Sequence, residues 1–581
     1  MLRLRLRPVL LGVFALSLFL YGFYFYHDAS TAYRDARTYL FVPSSYDWAA
    51  HPLAFPIPPA EMAVPPSGRP RRLPAVQHAW TKAQAMQHAR ASADMRAAVV
   101  NAFRKTYASY ERLAFGHDEL APLSGQPKDP FSGWGATIVD SLDTIWLMNL
   151  RDEWERAVNF VAGIDWNKST TSSCNLFETG IRYLGGLLSA YELSGERVLL
   201  RKAVELGDMM YAAFDNELHL PRGRFTWTDL KAGKVTPLEK QSMAGIGSFT
   251  LEFTKLSLLT KNNKYYDVVD RITRHFARTQ NDTLVPGLWP VHINAAANFS
   301  VADGTAFHFG ASADSAYEYF PKMHALLAGQ EPLYESLYKT STDAGIKHLV
   351  YRPMLPEEDN VLFMGALSVS HTDDGKKLVY GFAPTMNHLT CFVGGMMLLG
   401  GKLINDVEHV RVGEKLALGC ASAYNLVSPS HIMPESATFI KCPSLDSCPW
   451  DEALWADSVK GTTPPPRGFR SVVDPKYILR PEAIESIFVL WRTTGDQRLL
   501  HMAEGMWTAI SRACEGETAF ASLRDVTQST VERVDSMESF FLAETLKYFF
   551  LIYSNPNVIS LDEWVLNTEA HPLRREKPRG S

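Results

Sequence analysis

The sequence predicts an all-α fold in which pairs of helices form a ring, and two observations support this prediction. First, large apolar residues recur at intervals of three and four from about Thr81 to about Ser554, the spacing of helices that bury one face. Second, an acidic residue stands at or near the start of several of these segments. One carboxylate is common at a helix start, where it complements the helix dipole. A series of them predicts that the inner helices deliver acids to one end of the ring.

Seven candidate inner helices follow from this pattern. They begin near Asp143, Glu178, Glu252, Asp314, His388, Glu482 and Glu538. Most intervals between them can hold an inner helix, an outer helix and loops. Gly195 and Gly495 follow apolar segments and are typical of helix C-caps. Strand signals are few, and residues 222–237 are expected to form a small hairpin at one rim.

Composition allows one very large domain or several ordinary ones. The chain has 581 residues, of which 46% are hydrophobic, and a formal net charge of -5. This hydrophobic content is ample for a core. Because no basic stripe or nucleic-acid motif is present, we expect no nucleic-acid partner. No second linker interrupts the helical pattern, so we expect one helical domain over residues 81–574 and a tail over 575–581. We also expect a monomer.

The N-terminus has the pattern of a membrane signal anchor. Arg3, Arg5 and Arg7 precede an uncharged run over residues 8–26, which is long enough to cross a hydrocarbon core of about 30 Å. A cleaved signal peptide is the alternative, but it would have a shorter apolar core and a small-residue cleavage site. The positive-inside rule then predicts a cytosolic tail over residues 1–7 and a lumenal remainder, which is single-pass type II topology.

Residues 27–80 are predicted to form an extended stem. They show no helical periodicity and are interrupted by proline, which has no N–H to donate and breaks helices. The prolines that break any helix here are Pro52, Pro56, Pro58, Pro59, Pro65, Pro66, Pro70 and Pro74.

Six cysteines are too few to form a disulfide framework in a chain of this length. Cys442 and Cys448 share a loop, and Cys391 and Cys420 lie in adjacent apolar segments. Each is either disulfide-bonded or a buried free thiol, and an oxidising lumen favours bonding. None shows the two-residue spacing typical of zinc ligands.

Several carboxylates in one pocket are the requirement of glycoside hydrolysis. One carboxyl group protonates the leaving oxygen, and another activates water across the sugar. Aromatic residues such as Phe540 and Phe541, close to Glu538, can contact the apolar face of a pyranose. Taken singly, each acid is more simply a helix cap or part of a surface ion pair. The collective pattern favours the hydrolase interpretation.

From about Ala98 to Pro572, the chain resembles the class I α-1,2-mannosidases, glycoside hydrolase family 47, and in particular their Golgi and fungal members. The resemblance rests on residues 139–146 (VDSLDTIW), 177–182 (FETGIR), 313–319 (ADSAYEY), 479–482 (LRPE), 537–548 (MESFFLAETLKY) and 567–572 (NTEAHP). It implies an (α/α)7 barrel closed at one end by a C-terminal β-hairpin that carries Thr568 into the pocket.

The resemblance also implies one Ca²⁺ ion. Thr568 would bind it directly through its hydroxyl and carbonyl oxygens, and waters would complete the shell. The candidate partners of those waters are Glu485, Glu538, Glu544 and Glu569. Calcium accepts such an oxygen-rich shell readily.

The family inverts configuration, which implies roles for three carboxylates. Glu178 matches the general acid, acting through a water, Glu482 the general base, and Asp314 a third carboxylate. An inverting pair is expected to be about 6.5 to 9.5 Å apart. Sugar contacts are implied at Arg182, Glu252, His388, Arg480, Phe540 and Glu544, although a core histidine is the simpler interpretation of His388. Cys391 and Cys420 match the family disulfide.

Ser312 is a departure that bears on specificity. The endoplasmic-reticulum enzymes carry a branch-restricting arginine two residues before the acid that Asp314 matches, so serine is expected to admit more glycan branches. The resemblance thus implies a calcium-dependent exo-α-1,2-mannosidase that trims high-mannose N-glycans, anchored in the Golgi or endoplasmic-reticulum membrane. The alternatives are a mannosidase or a glycan-binding protein that acts in the degradation of misfolded glycoproteins.

Overall fold

A computed structural model describes residues 39–234, 238–357, 360–372, 377–459 and 464–576. The predicted cytosolic tail (1–7) and signal anchor (8–26), residues 27–38 of the predicted stem, and residues 577–581 lie outside this part of the chain. Within the described ranges, no helix is both long enough and apolar enough to span a bilayer.

Fourteen helical segments form the body of the described structure, and they alternate along the chain between an outer and an inner position. The outer helices are Ala93–Ala114 (α1), Arg151–Ala162 (α3), Arg197–Ala212 (α5), Asn263–Thr279 (α7), Pro332–His348 (α9), Val407–Leu426 (α11) and Arg498–Cys514 (α13). The inner ones are Ala136–Leu147 (α2), Gly185–Ser194 (α4), Thr250–Thr260 (α6), Asp314–Leu326 (α8), Phe392–Ile404 (α10), Glu482–Thr494 (α12) and Leu546–Ile552 (α14). The predicted mostly helical fold is confirmed.

The inner helices are buried on nearly every side, whereas the outer helices bury one face. Each inner helix packs against the next in chain order, and the segment leading into α14 packs against α2. A π-helical turn, Thr179–Leu184, leads into α4 and follows a short helix, Leu176–Glu178. A second π-helical turn, Phe541–Thr545, leads into α14. Two inner helices, α4 and α14, are therefore preceded by a π-helical turn. Such turns are frequent at functional sites.

Local sequence accounts for where many helices begin and end. Asn262 and Asp406 cap the N-termini of α7 and α11, because their side-chain oxygens accept hydrogen bonds from backbone N–H groups of the first turn. Gly195 and Gly495 end α4 and α12 with φ of 79° and 72°, so the predicted C-caps are confirmed. The prediction that Asp143 begins a helix is wrong. The helix begins at Ala136, and Asp143 lies within it, completely buried.

Shorter helices connect these elements. They are Trp48–Ala50, Lys82–Ala91, Trp227–Lys231, Met243–Gly247, Ala295–Ala297, Leu389–Cys391 and Glu452–Ser458. The hairpin predicted over residues 222–237 is wrong for the described part of that stretch, which holds the helix Trp227–Lys231. Its strand Arg224–Phe225 pairs instead with Cys174–Asn175. This pairing fixes the loop that precedes Glu178.

The strands are short and antiparallel. The longest pair is Ala366–His371 with Leu378–Ala383, joined by Ala306–Phe307. The others are Glu119–Leu120, Pro127–Lys128, Lys240–Ser242, His292–Asn294, Val350–Tyr351, Phe363–Met364, Thr385–Asn387, Ser436–Thr438, Ser471–Asp474, Ser522–Leu523 and Arg533–Val534. Trp564–Leu566 (β1) and Pro572–Arg574 (β2) form a C-terminal hairpin with Leu566 opposite Pro572. Strand β1 contacts α8 and β2 contacts α4, so the hairpin turn lies among the inner helices.

Residues 39–80, which we call the strap, are extended and lie along the outside of the helical body. Many backbone N–H groups of the strap donate to distant residues: Val42 to Ala162, Ser44 to Glu205, Phe55 to Asp215, Ala63 to Asp267, Val76 to Asp562 and His78 to Arg492. Trp48 is buried against α5. This part of the predicted stem is therefore packed on the helical domain.

Two disulfides are present. Cys391 bonds to Cys420, which ties the start of α10 to α11, and Cys442 bonds to Cys448. Cys174 and Cys514 are buried free thiols. The predicted Cys391–Cys420 pairing is confirmed, and the choice left open for Cys442 and Cys448 is resolved as a disulfide.

Candidate active site

A cavity of about 310 Å³ lies at one end of the inner helices. We call it the central cavity. Its acidic lining residues are Glu178, Asp314, Glu318, Glu482, Glu485, Glu538, Glu544 and Glu569, and its basic ones are Arg182 and Arg480. The remaining lining residues are Phe177, Ile181, Ser315, Leu389, Phe392, Ile478, Phe540 and Thr568. Acids predicted from widely separated parts of the sequence therefore share one pocket.

Glu482 is held as a carboxylate at the start of α12. Its Oε2 atom lies 3.0 Å from Nδ1 of His388, and its Oε1 atom accepts a 3.3 Å hydrogen bond from Nη1 of Arg480. Burial alone would raise the pKa of Glu482, but Arg480 and His388 outweigh burial and lower it. Glu482 therefore stays ionised, and available as a base, to lower pH than an ordinary glutamate.

Asp314, the first residue of α8, has the opposite character. Its Oδ1 atom accepts a 2.8 Å hydrogen bond from the backbone N–H of Ser315. Burial, and then the nearby Glu318 and Glu482, raise the pKa of Asp314 to about 7. The pKa values of Asp314 and Glu482 are thus shifted in opposite directions, so the two carboxyl groups differ in protonation near neutral pH.

Glu178 is fixed by an arginine on its own helical turn. Arg182 donates from Nε to Glu178 Oε2 at 2.9 Å and from Nη1 to Glu569 Oε2 at 2.9 Å. The Arg182 side chain is 8% exposed and lies over the rings of Phe131 and Phe540. It therefore joins a predicted catalytic acid to the C-terminal hairpin.

The predicted metal ligands also meet in the central cavity. Thr568 lies in the hairpin turn and lines the cavity with Glu485, Glu538, Glu544 and Glu569. Burial and then neighbouring carboxylates raise the pKa of Glu544 well above its usual range. Burial also raises the pKa of Glu485 and Glu569, although a nearby cation opposes it in each case. The cavity lining thus holds eight carboxyl groups but only two arginines.

Three predicted sugar-binding residues do not line the cavity. His388 is completely buried between Glu482 and the Tyr424 hydroxyl, 2.8 Å from its Nε2 atom. Glu252 accepts from the Tyr319 hydroxyl at 2.7 Å, and its Oε2 atom has no hydrogen-bond partner within the described chain. Burial raises the pKa of Glu252 to about 7. Ser312 lies outside the lining with φ of 76°.

Comparison with known proteins identifies the family of the chain that forms this carboxylate-lined pocket. The profile of Glycosyl hydrolase family 47 matches residues 102–575. The chain belongs to glycosyl hydrolase family 47. Its predicted family and its predicted enzyme class are thereby confirmed.

Relatives of this family 47 chain are named as α-1,2-mannosidases. The human "Endoplasmic reticulum mannosyl-oligosaccharide 1,2-alpha-mannosidase" is 32% identical over 486 residues, covering 82% of this chain and 63% of that protein, less than two thirds of its length. "Mannosyl-oligosaccharide alpha-1,2-mannosidase 1B" of Emericella nidulans is 31% identical over 513 residues, covering 84% of this chain and 94% of that protein. The solved "alpha-1,2-mannosidase from Trichoderma reesei" is 30% identical with a TM-score of 0.72, covering 83% of this chain and 99% of that chain.

Sequence reasoning missed several polar groups that position the site of this family 47 enzyme. Glu318 lines the cavity and pairs with Lys322 of the same helix. Glu435 accepts hydrogen bonds of 2.9 and 2.7 Å from Nε of Arg480. Glu318 lies in one of the quoted motifs, at the four-residue spacing from Asp314 that predicts a shared helix face. Glu435 lies in a loop with no comparable local signal.

A second group of metal-ligand residues lies away from the central cavity. Ligand atoms of Asp343, Asp406 and His409, on and beside outer helices α9 and α11, lie within 4.8 Å of one another. Lys339 pairs with both aspartates at 3.1 Å, so a lysine already supplies positive charge there. We therefore treat this group as an outer-surface ion-pair cluster.

Proposed function

We propose that the protein is a calcium-dependent, inverting exo-α-1,2-mannosidase that trims high-mannose N-glycans of glycoproteins in the secretory pathway. The observation that carries the proposal is the central cavity, where eight carboxylates face two arginines within about 310 Å³. Its family and the names of its relatives support the linkage and the sugar.

The reaction follows from the different environments of the carboxyl groups. Water attacks C1 of the terminal mannose on the face opposite the departing oxygen, and Glu482 takes the proton of that water. The C1–O bond breaks, and the oxygen that stays on the next mannose receives a proton. We assign that delivery to a protonated Glu178 through a bridging water, and exchange with solvent returns the proton from Glu482 to Glu178 after the products leave. Asp314 is assigned as the third carboxyl group of the cavity, and it is mostly neutral below pH 7 because its pKa is raised to about that value.

The remaining predicted residues orient the sugar and the reacting groups. Arg182, Arg480, Phe540 and Glu544 line the cavity and are assigned to sugar contact. His388 orients Glu482 through the 3.0 Å contact described above. Glu252 orients the hairpin turn, since its Oε1 atom accepts a 2.8 Å hydrogen bond from Asn567.

The donor set of the cavity fits a calcium ion. Hydroxyl, carbonyl and carboxylate oxygens are the ligands that calcium prefers. Burial raises the pKa values of Glu485, Glu544 and Glu569, and a bound cation would favour their ionised forms. Thr568 would bind the ion directly, and these three residues and Glu538 would bind its waters. When bound, calcium would supply a positive charge that orients sugar hydroxyls.

The arrangement of the chain supports two finer proposals. The alternation of inner and outer helices, with the last inner segment against the first, supports an (α/α)7 barrel closed by the β1–β2 hairpin. The N-terminal sequence supports a single-pass type II anchor in the Golgi or endoplasmic-reticulum membrane, with a monomeric catalytic domain in the lumen.

A glycan digest tests the proposal. Full-length protein in detergent is incubated with a nine-mannose N-glycan, and the released mannose and the product isomers are mapped over time. We expect loss of α-1,2-linked mannose only, abolished by exhaustive chelation and restored by added Ca²⁺. Binding of the glycan without any release of mannose would instead indicate a lectin. Full activity with no detectable bound metal would contradict the role of calcium.

A further inference from the structure

The turn between β1 and β2, residues 567–571, is locked by its own side chains. The Oδ1 atom of Asn567 accepts hydrogen bonds of 2.9 Å from the backbone N–H groups of both Glu569 and His571. Its amide group donates to the backbone oxygen of Ile181 at 2.9 Å. Thr568 lies between these anchored residues, so its position depends on what holds the turn.

His571 joins this turn to the inner helix α2. Its Nδ1 atom lies 2.8 Å from Asp143 Oδ2, and its Nε2 atom lies 3.1 Å from Asp140 Oδ1. All three side chains are completely buried. Asp140 and Asp143 are three residues apart and therefore share one face of α2. Because both ring nitrogens face carboxylates, the ring cannot turn without breaking a buried ion pair.

Lys547 of α14 completes the attachment from a second helix. Its ammonium group lies 2.8 Å from Asp143 Oδ1 and donates to the backbone oxygen of Ala570 at 2.8 Å. Lys547 is completely buried as well. The turn is thus held from α2 and from α14 by charged groups that water cannot reach.

Close approach of α4 leaves the turn little room to move. A Cβ atom at Gly185 would lie 2.6 Å from Nδ2 of Asn567 and 2.9 Å from Cδ2 of His571. Gly185 has ordinary helical dihedral angles, with φ of -57°. Glycine is therefore needed here for space and not for backbone conformation.

From this geometry we propose that His571 is a positioning residue for the calcium site: by clamping the turn to Asp140 and Asp143, it fixes the Thr568 oxygens where the ion binds. This inference rests on the proposed function. Groups that orient metal ligands from behind typically change metal affinity by about 10–100-fold when replaced. We expect a loss of that size for His571→Asn.

Calcium binding by the full-length protein tests the inference without relying on activity. Metal-free protein in detergent is titrated with Ca²⁺ in a calorimeter, and folding is checked by circular dichroism. His571→Asn and Gly185→Ala should both raise the Kd for Ca²⁺ by about 10–100-fold. Two matched controls should keep the wild-type Kd. His409→Asn alters a buried histidine of the outer-surface cluster, and Gly505→Ala alters a helical glycine with no heavy atom near its added Cβ.

The outcomes separate this inference from the calcium proposal. A folded His571→Asn protein with the wild-type Kd would overturn the inference. If that variant does not fold, Gly185→Ala decides alone, and a wild-type Kd there would overturn the inference too. Equal weakening in the two controls would indicate general destabilisation and would also contradict it. A wild-type protein that takes up no Ca²⁺ would refute the calcium proposal itself, and this inference with it.

Discussion

Replacing Glu482 with glutamine should abolish activity while leaving the fold intact. Glutamine has nearly the same shape, and its side-chain oxygen can still accept from Arg480 or His388. Arg480 keeps its second carboxylate, Glu435, at 2.7 Å. The substitution therefore removes the proton acceptor without leaving a buried charge unpaired.

The expected magnitudes follow from those contacts. Loss of a general base typically costs about 10²–10⁴-fold in rate. Two charge-assisted hydrogen bonds to Glu482 weaken, each worth about 1.5–3 kcal/mol. Burying a neutral amide costs less than burying a carboxylate, which offsets much of this loss. We therefore expect the free energy of unfolding to fall by about 2 kcal/mol or less.

The assay is the release of mannose from an α-1,2-linked dimannoside, with and without azide. Azide needs no deprotonation, so it should restore turnover of Glu482→Gln and form a mannosyl azide of inverted configuration. Glu435→Gln is the matched control, since Glu435 pairs with Arg480 but does not line the cavity. It should lose stability without a comparable loss of rate. A Glu482→Gln rate within tenfold of the wild-type rate would refute the assignment of the base.

Three further predictions follow. The rate should be retained at acidic pH, because the pKa of Glu482 is lowered and the base stays ionised. It should fall as pH rises through about 7, where Asp314 loses its proton. A pH–rate profile of Asp314→Asn should lack that alkaline fall. Trp48→Ala should lower the free energy of unfolding by about 3–5 kcal/mol in denaturant titrations, whereas Leu40→Ala, at an 80% exposed strap residue, should change it by less than about 0.5 kcal/mol. The wild type should remove several α-1,2-mannoses, and Ser312→Arg should slow the later cleavages more than the first, as product mapping would reveal.

Local signals predicted the parts of the site that depend on local structure. Acids at helix starts placed Glu178, Asp314 and Glu482 at one end of the inner helices, and all three line one cavity. Helical periodicity and glycine C-caps are properties of neighbouring residues, so the sequence carries them directly. The position of Thr568 in the same cavity could be predicted only from the family resemblance, because up to several hundred residues separate Thr568 from these acids.

Features that depend on distant pairing could not be predicted. Asp143 follows the pattern of a helix start, but it lies inside a helix and pairs with His571, which is 428 residues away. The strand at Arg224–Phe225 pairs with residues some fifty positions earlier and not within its own segment. Proline content indicated an extended backbone in the strap, whereas its contacts with Asp215 and Asp267 are set by the folded surface.

Inverting hydrolysis of an α-mannosidic bond fixes the anomeric form of the first mannose that the enzyme releases. Proton NMR spectra recorded within the first turnovers distinguish α- from β-mannose before mutarotation equilibrates them. We predict that β-mannose appears first, because water attacks opposite the departing oxygen with help from Glu482. Initial release of α-mannose would contradict the account, since it would require retention through a covalent intermediate.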